Sequence, residues 1–197
     1  MRLLSLDADT KFIGYAHFLG DKLMLYGTHD IAAKWDDLLV EVGRFLGDEI
    51  GYEVEYVAAE MPVMYKNAKT AIQLAQLVGA IRFASLNHGC EFIEVLPSER
   101  LTACGIPILT RSKPAKEAVK RTVSAIYGIE VTTTHAADAI AVGMAALNKL
   151  KLREMSRQAD MMPCDHPTSA IVSSDEGTHY CRECEARQDA CCEKGEA

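Results

Sequence analysis

Leu3-Leu4-Ser5-Leu6-Asp7 is a short apolar run that stops on a carboxylate. Val54-Glu55-Tyr56-Val57-Ala58-Ala59-Glu60 ends the same way. Apolar runs of this length read as strands of a buried sheet. Between them, residues 13–19 and 22–28 are apolar-rich and separated by the turn pair Gly20-Asp21, so the first thirty residues predict a three-stranded meander. Trp35, Leu38, Leu39, Val42, Phe45 and Leu46 then recur at helical spacing and predict a helix over 34–50. After Glu60, Pro62 delays the next helix, which is expected over 66–88 and stopped by Gly89. Gly79 inside that helix suggests close packing. A fifth strand is expected at 91–96, a short helix opens at Pro97-Ser98, residues 104–112 read as a loop, and two helices cover 116–127 and 136–152. Three antiparallel strands followed by alternating strands and helices predict an α/β fold, a mixed five-stranded sheet with helices on both faces.

Two strand-end acids, Asp7 and Glu60, become more informative beside His135 and Asp138, three residues apart at the start of an Ala-rich helix and therefore on one face of it. Such a set can converge on a hard divalent cation, an arrangement suited to metal-assisted phosphodiester hydrolysis. Each residue alone has a plainer role: a strand-end turn for Asp7, a surface acid for Glu60, and a dipole-favoured helix N-terminus for the His/Asp pair.

Charge distribution matters more than the formal total of −7. Residues 1–157 hold 18 Lys and Arg against 19 Asp and Glu, whereas residues 158–197 hold 3 against 9. Residues 100–121 carry Arg100, Arg111, Lys113, Lys116, Lys120 and Arg121 against Glu117 alone, which reads either as a phosphate-binding stripe or as a solvated face. With 49% hydrophobic residues the chain can bury a core, and no apolar run approaches the roughly 18 residues of a membrane span. Asp7 and Asp9 interrupt the N-terminal apolar stretch, so a secretory signal is not expected and a cytoplasmic location is the default. Seven cysteines, an odd number, argue against a disulfide framework.

The order of these motifs resembles the RuvC family of Holliday-junction resolvases, within the RNase H-like superfamily. Residues 4–10 (Leu-Ser-Leu-Asp-Ala-Asp-Thr) with Gly14-Tyr15 resemble its first-strand motif. Glu60, Lys66-Asn67 and residues 71–79 (Ala-Ile-Gln-Leu-Ala-Gln-Leu-Val-Gly) resemble its second. Glu94-Val95-Leu96-Pro97 and residues 115–119 (Ala-Lys-Glu-Ala-Val) resemble its third, and residues 135–141 (His-Ala-Ala-Asp-Ala-Ile-Ala) close the set. The match spans residues 1–150. It implies a homodimeric, magnesium- or manganese-dependent endonuclease that cuts four-way and other branched DNA. Asp7, Glu60 and Asp138 would then carry the metal, His135 would fill a family His-or-Asp position, and Lys116 would be the lysine beside the catalytic centre. Lys66, Asn67, Arg111, Lys113, Lys120 and Arg121 are candidate DNA contacts.

The chain departs from the family pattern at three places. Ala8-Asp9 replaces a Pro-Gly, Val63 stands where an aromatic wedge is common, with Tyr65 as a substitute, and a Cys-rich tail lies outside the family core. These differences suggest a diverged, bacteriophage-type member. On this reading Asp7 bridges two ions, Glu60 holds one and Asp138 the other, and His135 binds the second ion or assists proton transfer. Two other readings are an inert branched-DNA-binding module, which predicts a lost ligand, and an ATPase or kinase of related topology. The latter predicts a second lobe and a Gly-rich phosphate loop that the sequence lacks.

A boundary is expected near 153–162, giving a nuclease domain over 1–152 and an acidic tail over 153–197. In the tail, Cys164 with His166 and Cys181 with Cys184 form two close pairs of the kind that hold structural zinc, with His179, Cys191 and Cys192 as substitutes. The alternative is an acidic tail with incidental thiols.

Overall fold

The structure, a computed structural model, describes residues 1–31, 35–51, 53–62, 68–108, 112–160, 171–173 and 179–181. At 35–36, 112–113, 158–160 and the last two segments it describes the backbone alone. Three strands come first: β1 (Arg2–Ala8), β2 (Phe12–Leu19) and β3 (Lys22–Asp30). They are followed by α1 (Trp35–Ile50), β4 (Tyr56–Glu60), α2 (Ala68–Asn87), β5 (Glu91–Val95), α3 (Pro97–Ala103), α4 (Ser112–Tyr127) and α5 (Thr134–Asp160). The sheet order is β3-β2-β1-β4-β5. β1–β2 and β2–β3 are antiparallel, and β1–β4 and β4–β5 are parallel. The expected mixed five-stranded sheet is thus observed.

β1 lies at the centre, and the direction of chain travel through the sheet reverses between β1 and β4. In open α/β sheets the crevice at the carboxyl ends of strands beside such a reversal is the usual ligand site. Alternation along β1 assigns its side chains to two faces. Leu4 and Leu6 join Val57, Ala59, Leu38, Val42, Leu46, Leu77 and Ile81 in one core beneath α1 and α2. Ser5 takes the opposite face, where its hydroxyl donates to the Ala139 carbonyl of α5 at 2.8 Å.

Small residues let α5 lie close to that face. Ala136, Ala137, Ala139, Ile140, Ala141 and Val142 are all buried. A Cβ on Gly14 would fall 2.0 Å from the His135 carbonyl oxygen, and one on Gly143 would fall 2.2 Å from the Phe18 ring. Strand and helix meet there at a separation only glycine permits. Gly79, expected to mark close helix packing, meets no such neighbour among the described residues: none of their atoms lies within 4 Å of where its Cβ would be.

Other differences fall at element ends. α4 starts at Ser112, inside the expected loop. α5 continues to Asp160, eight residues beyond the expected stop, through Arg, Glu, Met, Gln and Ala, which are good helix formers without an apolar face. The chain divides into two compact units, Met1–Lys149 and Leu150–Ala197. The second contains a small antiparallel pair, β6 (Ile171–Ser173) with β7 (His179–Cys181). Among the described residues, no helix is long and apolar enough to cross a membrane.

Candidate active site

Asp7 and Glu60 arrive on neighbouring strands. Leu6 pairs with Ala59 in the parallel β1–β4 ladder, so the two acids follow at the same carboxyl-end edge. Glu60 is also held from the other side, opposite Val95 of β5. On the facing element, His135 and Asp138 lie three residues apart near the start of α5. The Ser5 hydrogen bond and the Gly14 contact set the height of the start of α5 above β1 and β2.

His135 Nδ1 lies 2.9 Å from Asp7 Oδ2, and its ring stacks on Phe12 with centroids 5.3 Å apart. The imidazole is therefore oriented on two sides, its Nδ1–H donating to the carboxylate. That hydrogen bond to Asp7 raises the His135 pKa, against the opposing effect of burial.

Asp138 is nearly fully buried, with a side chain 3% exposed. Its Oδ1 accepts from Arg100 Nη1, and its Oδ2 lies 3.7 Å from Lys116 Nζ. Arg100 reaches across from α3 and also places its Nε 2.6 Å from Glu60 Oε2. This second contact is an ion pair without hydrogen-bond alignment: both atoms are buried and neither has an aligned partner among the described residues. Burial raises Glu60 to about 7, with Arg100 pulling it down and the Asp7 and Asp138 charges pushing it up. Burial likewise raises Asp138 to about 6, again opposed by Arg100. Cys104, at the C-terminal end of α3, is a buried thiol pushed up to about 11 by burial.

The donor set suits a hard divalent cation: three carboxylates and an imidazole, with a buried, unaligned Glu60 oxygen among them. In the structure these groups are paired with internal cations rather than drawn onto one point. Among the described residues, no three His, Cys, Asp or Glu side chains stand together as a ready-made metal cage.

The residues expected to form the site thus lie in two contact groups. Asp7 meets His135, and Asp138 meets Lys116. Arg100 joins Glu60 to Asp138, a role the sequence did not reveal; it had appeared only as the first cation of a basic stripe. The one available signal was its position in the turn after Pro97, directly beyond β5. Of the expected DNA contacts, Lys120 donates to the Thr132 carbonyl at 3.0 Å and Arg121 is exposed. Lys66, Asn67 and Arg111 lie outside the described residues, as do Val63, Tyr65, Cys164, His166 and Cys184, and the side chains of Lys113 and Cys181 are not described.

The profile of the family "Crossover junction endodeoxyribonuclease RuvC" matches residues 21–146. A RuvC of that description from Pelobacter propionicus is 29% identical over 169 residues, covering 81% of this chain and 93% of the relative. Another from Chromohalobacter salexigens is 26% identical over 152 residues, covering 72% and 78%. Among solved structures, Thermus thermophilus RuvC in complex with a Holliday junction substrate superposes with a TM-score of 0.66 at 18% identity, over 77% of this chain and 96% of that one. The Fowlpox virus resolvase with Holliday junction DNA gives 0.54 at 17% identity, over 76% and 99%. The five-stranded sheet is therefore the RNase H-like fold of these resolvases. With most of its first unit matched by the family profile, the chain belongs to the RuvC family of crossover junction endodeoxyribonucleases, metal-dependent and structure-selective nucleases of Holliday junctions.

Proposed function

We propose that this chain resolves four-way DNA junctions by magnesium-dependent hydrolysis of a phosphodiester at the carboxyl-end edge of β1 and β4. The observation that supports the reading is the placement of Asp7 and Glu60 at one edge of the sheet, with His135 against Asp7, Arg100 between Glu60 and Asp138, and Lys116 near Asp138. Asp7, Glu60 and Asp138 would hold the metal, with His135 beside them. Divalent ions there would acidify the attacking water and neutralise the leaving oxygen. Lys116, 47% exposed and anchored near Asp138, is suited to hold a non-bridging phosphate oxygen. Asp7 fixes the His135 ring through Nδ1, which leaves Nε2 as the atom to exchange a proton or to coordinate. Lys120 and Arg121 on α4, with Lys66, Asn67, Arg111 and Lys113, would meet the DNA backbone.

The reading extends to a homodimer through α2. That helix buries Ala71, Leu77, Val78, Ile81 and Ser85 but exposes Ile72, Ala75, Gly79, Phe83 and Leu86 at intervals of three and four residues. A second apolar stripe, with no described residue packed on Gly79, suits an identical helix, and two-fold symmetry suits paired cuts. Phe83→Glu would then shift the protein to monomer in sedimentation equilibrium. In the tail, the spacing of Cys164, His166, Cys181 and Cys184 supports a structural zinc site in a separate module over 153–197, which metal analysis of purified protein would test.

The primary test offers a labelled four-way junction, a fork and a linear duplex to the protein in magnesium or chelator, with Asp7→Asn as control. Paired nicks in the junction, lost in the variant and in chelator, are expected. Equal cutting of the fork would make it a general branch nuclease. Junction binding without cleavage, in any divalent metal, would overturn the nuclease reading in favour of an inert junction-binding module.

A further inference from the structure

We propose that Arg100 is a resident counter-cation of the acid cluster, and that its guanidinium and a divalent ion compete for the same two oxygens, Glu60 Oε2 and Asp138 Oδ1. The inference rests on the reading of this cluster as a metal centre.

Without a metal, the centre holds three carboxylates, two of them in low-dielectric surroundings. Buried carboxylates are tolerated only when paired. Arg100 supplies that pairing for both: its side chain is 12% exposed, and it spans from Glu60 to Asp138 with two different nitrogens. Lys116 cannot replace it, because its ammonium reaches only the second oxygen of Asp138, at 3.7 Å, and its side chain is half exposed.

The same geometry makes Arg100 an obstacle. A guanidinium is a permanent cation with donors and no acceptor. A magnesium-sized ion needs carboxylate oxygens at roughly 2.0–2.1 Å. Arg100 already lies against one oxygen of each acid, Glu60 Oε2 and Asp138 Oδ1, so an ion held by those two oxygens would meet a positive charge in its own place.

Two features favour displacement of the side chain over movement of the backbone. The contact with Glu60 is close but unaligned, so giving it up forfeits no good hydrogen bond. The helix that carries Arg100 is pinned: Glu99 accepts from the Leu96 amide at 2.7 Å and pairs with Lys149 of α5 at 2.7 Å. The long arginine side chain is the part that can turn aside. The site would thus be charge-compensated before loading and would exchange one cation for another on loading.

The test is calorimetric titration of the full chain with calcium in the absence of DNA, so that the readout is binding and not cleavage. Arg100→Met should bind calcium at least about tenfold more tightly than the parent, within the roughly 10–100-fold range that neighbours of metal ligands command. Arg100→Lys keeps the charge and should stay within about threefold of the parent. Unfolding of Arg100→Met in chelator should occur at lower temperature than that of the parent, and calcium should close the gap. Should Arg100→Met not fold, the parent itself answers: the Nε–H resonance of Arg100, assigned by its absence from Arg100→Lys, should move with the same half-saturation as the calorimetric isotherm. Equal or weaker calcium binding by Arg100→Met, or a resonance unmoved at saturation, would overturn the competition while leaving the metal centre standing. A parent protein that takes up no divalent ion would instead overturn the metal centre, and the competition with it.

Discussion

Glu60→Gln gives the sharpest energetic test of the site, because it replaces a carboxylate that burial opposes with a neutral group of the same shape. Folding raises the Glu60 pKa from 4.5 to about 7. Between those values the folded chain keeps a proton that the unfolded chain releases, so the stability of the metal-free protein falls as pH rises through the window. The rise corresponds to about 3 kcal/mol against the ionised form once pH is above both values. Glutamine avoids that penalty. In chelator at pH 8, Glu60→Gln should therefore be more stable than the parent by about 2–3 kcal/mol, or roughly 4–12 °C in Tm for a chain of this size. At pH 4.5 the two should melt within a degree or so. Magnesium should raise the parent's Tm but not the variant's, and the variant should not cut junctions. The assay is thermal unfolding followed by circular dichroism at both pH values, with chelator and with magnesium. A variant less stable than the parent at pH 8 in chelator, or an equal gain at both pH values, would refute the claim that burial governs this carboxylate.

Three more outcomes follow from the same geometry. Gly14→Ala drives a Cβ into the His135 carbonyl, so α5 must retreat; a loss of about 1–3 kcal/mol in urea unfolding is expected, with junction cleavage down by about 100-fold from misplacing the first turn. Divalent-ion uptake at pH 6 should release protons, since Glu60, Asp138 and His135 all hold protons more tightly in the metal-free fold. Calorimetry at pH 6 in buffers of different ionisation enthalpy should show that release, which should largely vanish at pH 8.5. Lys116→Ala should lower the cleavage rate by roughly 100-fold or more while junction affinity changes less than about threefold, the pattern of a group acting on the transition state.

The positions of Asp7, Glu60, His135 and Asp138 in their elements were legible because local rules place them: two acids terminate apolar strands, and a spacing of three on a helix makes one face. The sheet was legible for the same reason, since a meander followed by alternation admits few topologies. Arg100 was not legible as the residue linking the acids. Its reach to Glu60 and Asp138 depends on where α3 leaves the end of β5 and on the burial of both acids, which no local pattern encodes. The extension of α5 to Asp160 was missed because periodicity, the signal used, is absent from a polar helix end whose residues simply prefer helix. The partner of Gly79 was not legible, because a glycine in a helix signals close approach without saying to what.

The seam formed by Ser5, Gly14 and Gly143 has a consequence for selectivity. It fixes the N-terminal half of α5 against β1 and β2, with Ser5 on the Ala139 carbonyl, Gly14 on the His135 backbone and Gly143 on the Phe18 ring, so His135 and Asp138 can leave the sheet only if the core itself opens. Amide protons there should exchange with solvent on the schedule of global unfolding. A site with so little compliance cannot mould itself around different nucleic acids. The substrate must do the bending, and those whose strands open and swivel most cheaply at a branch point will be the ones cut.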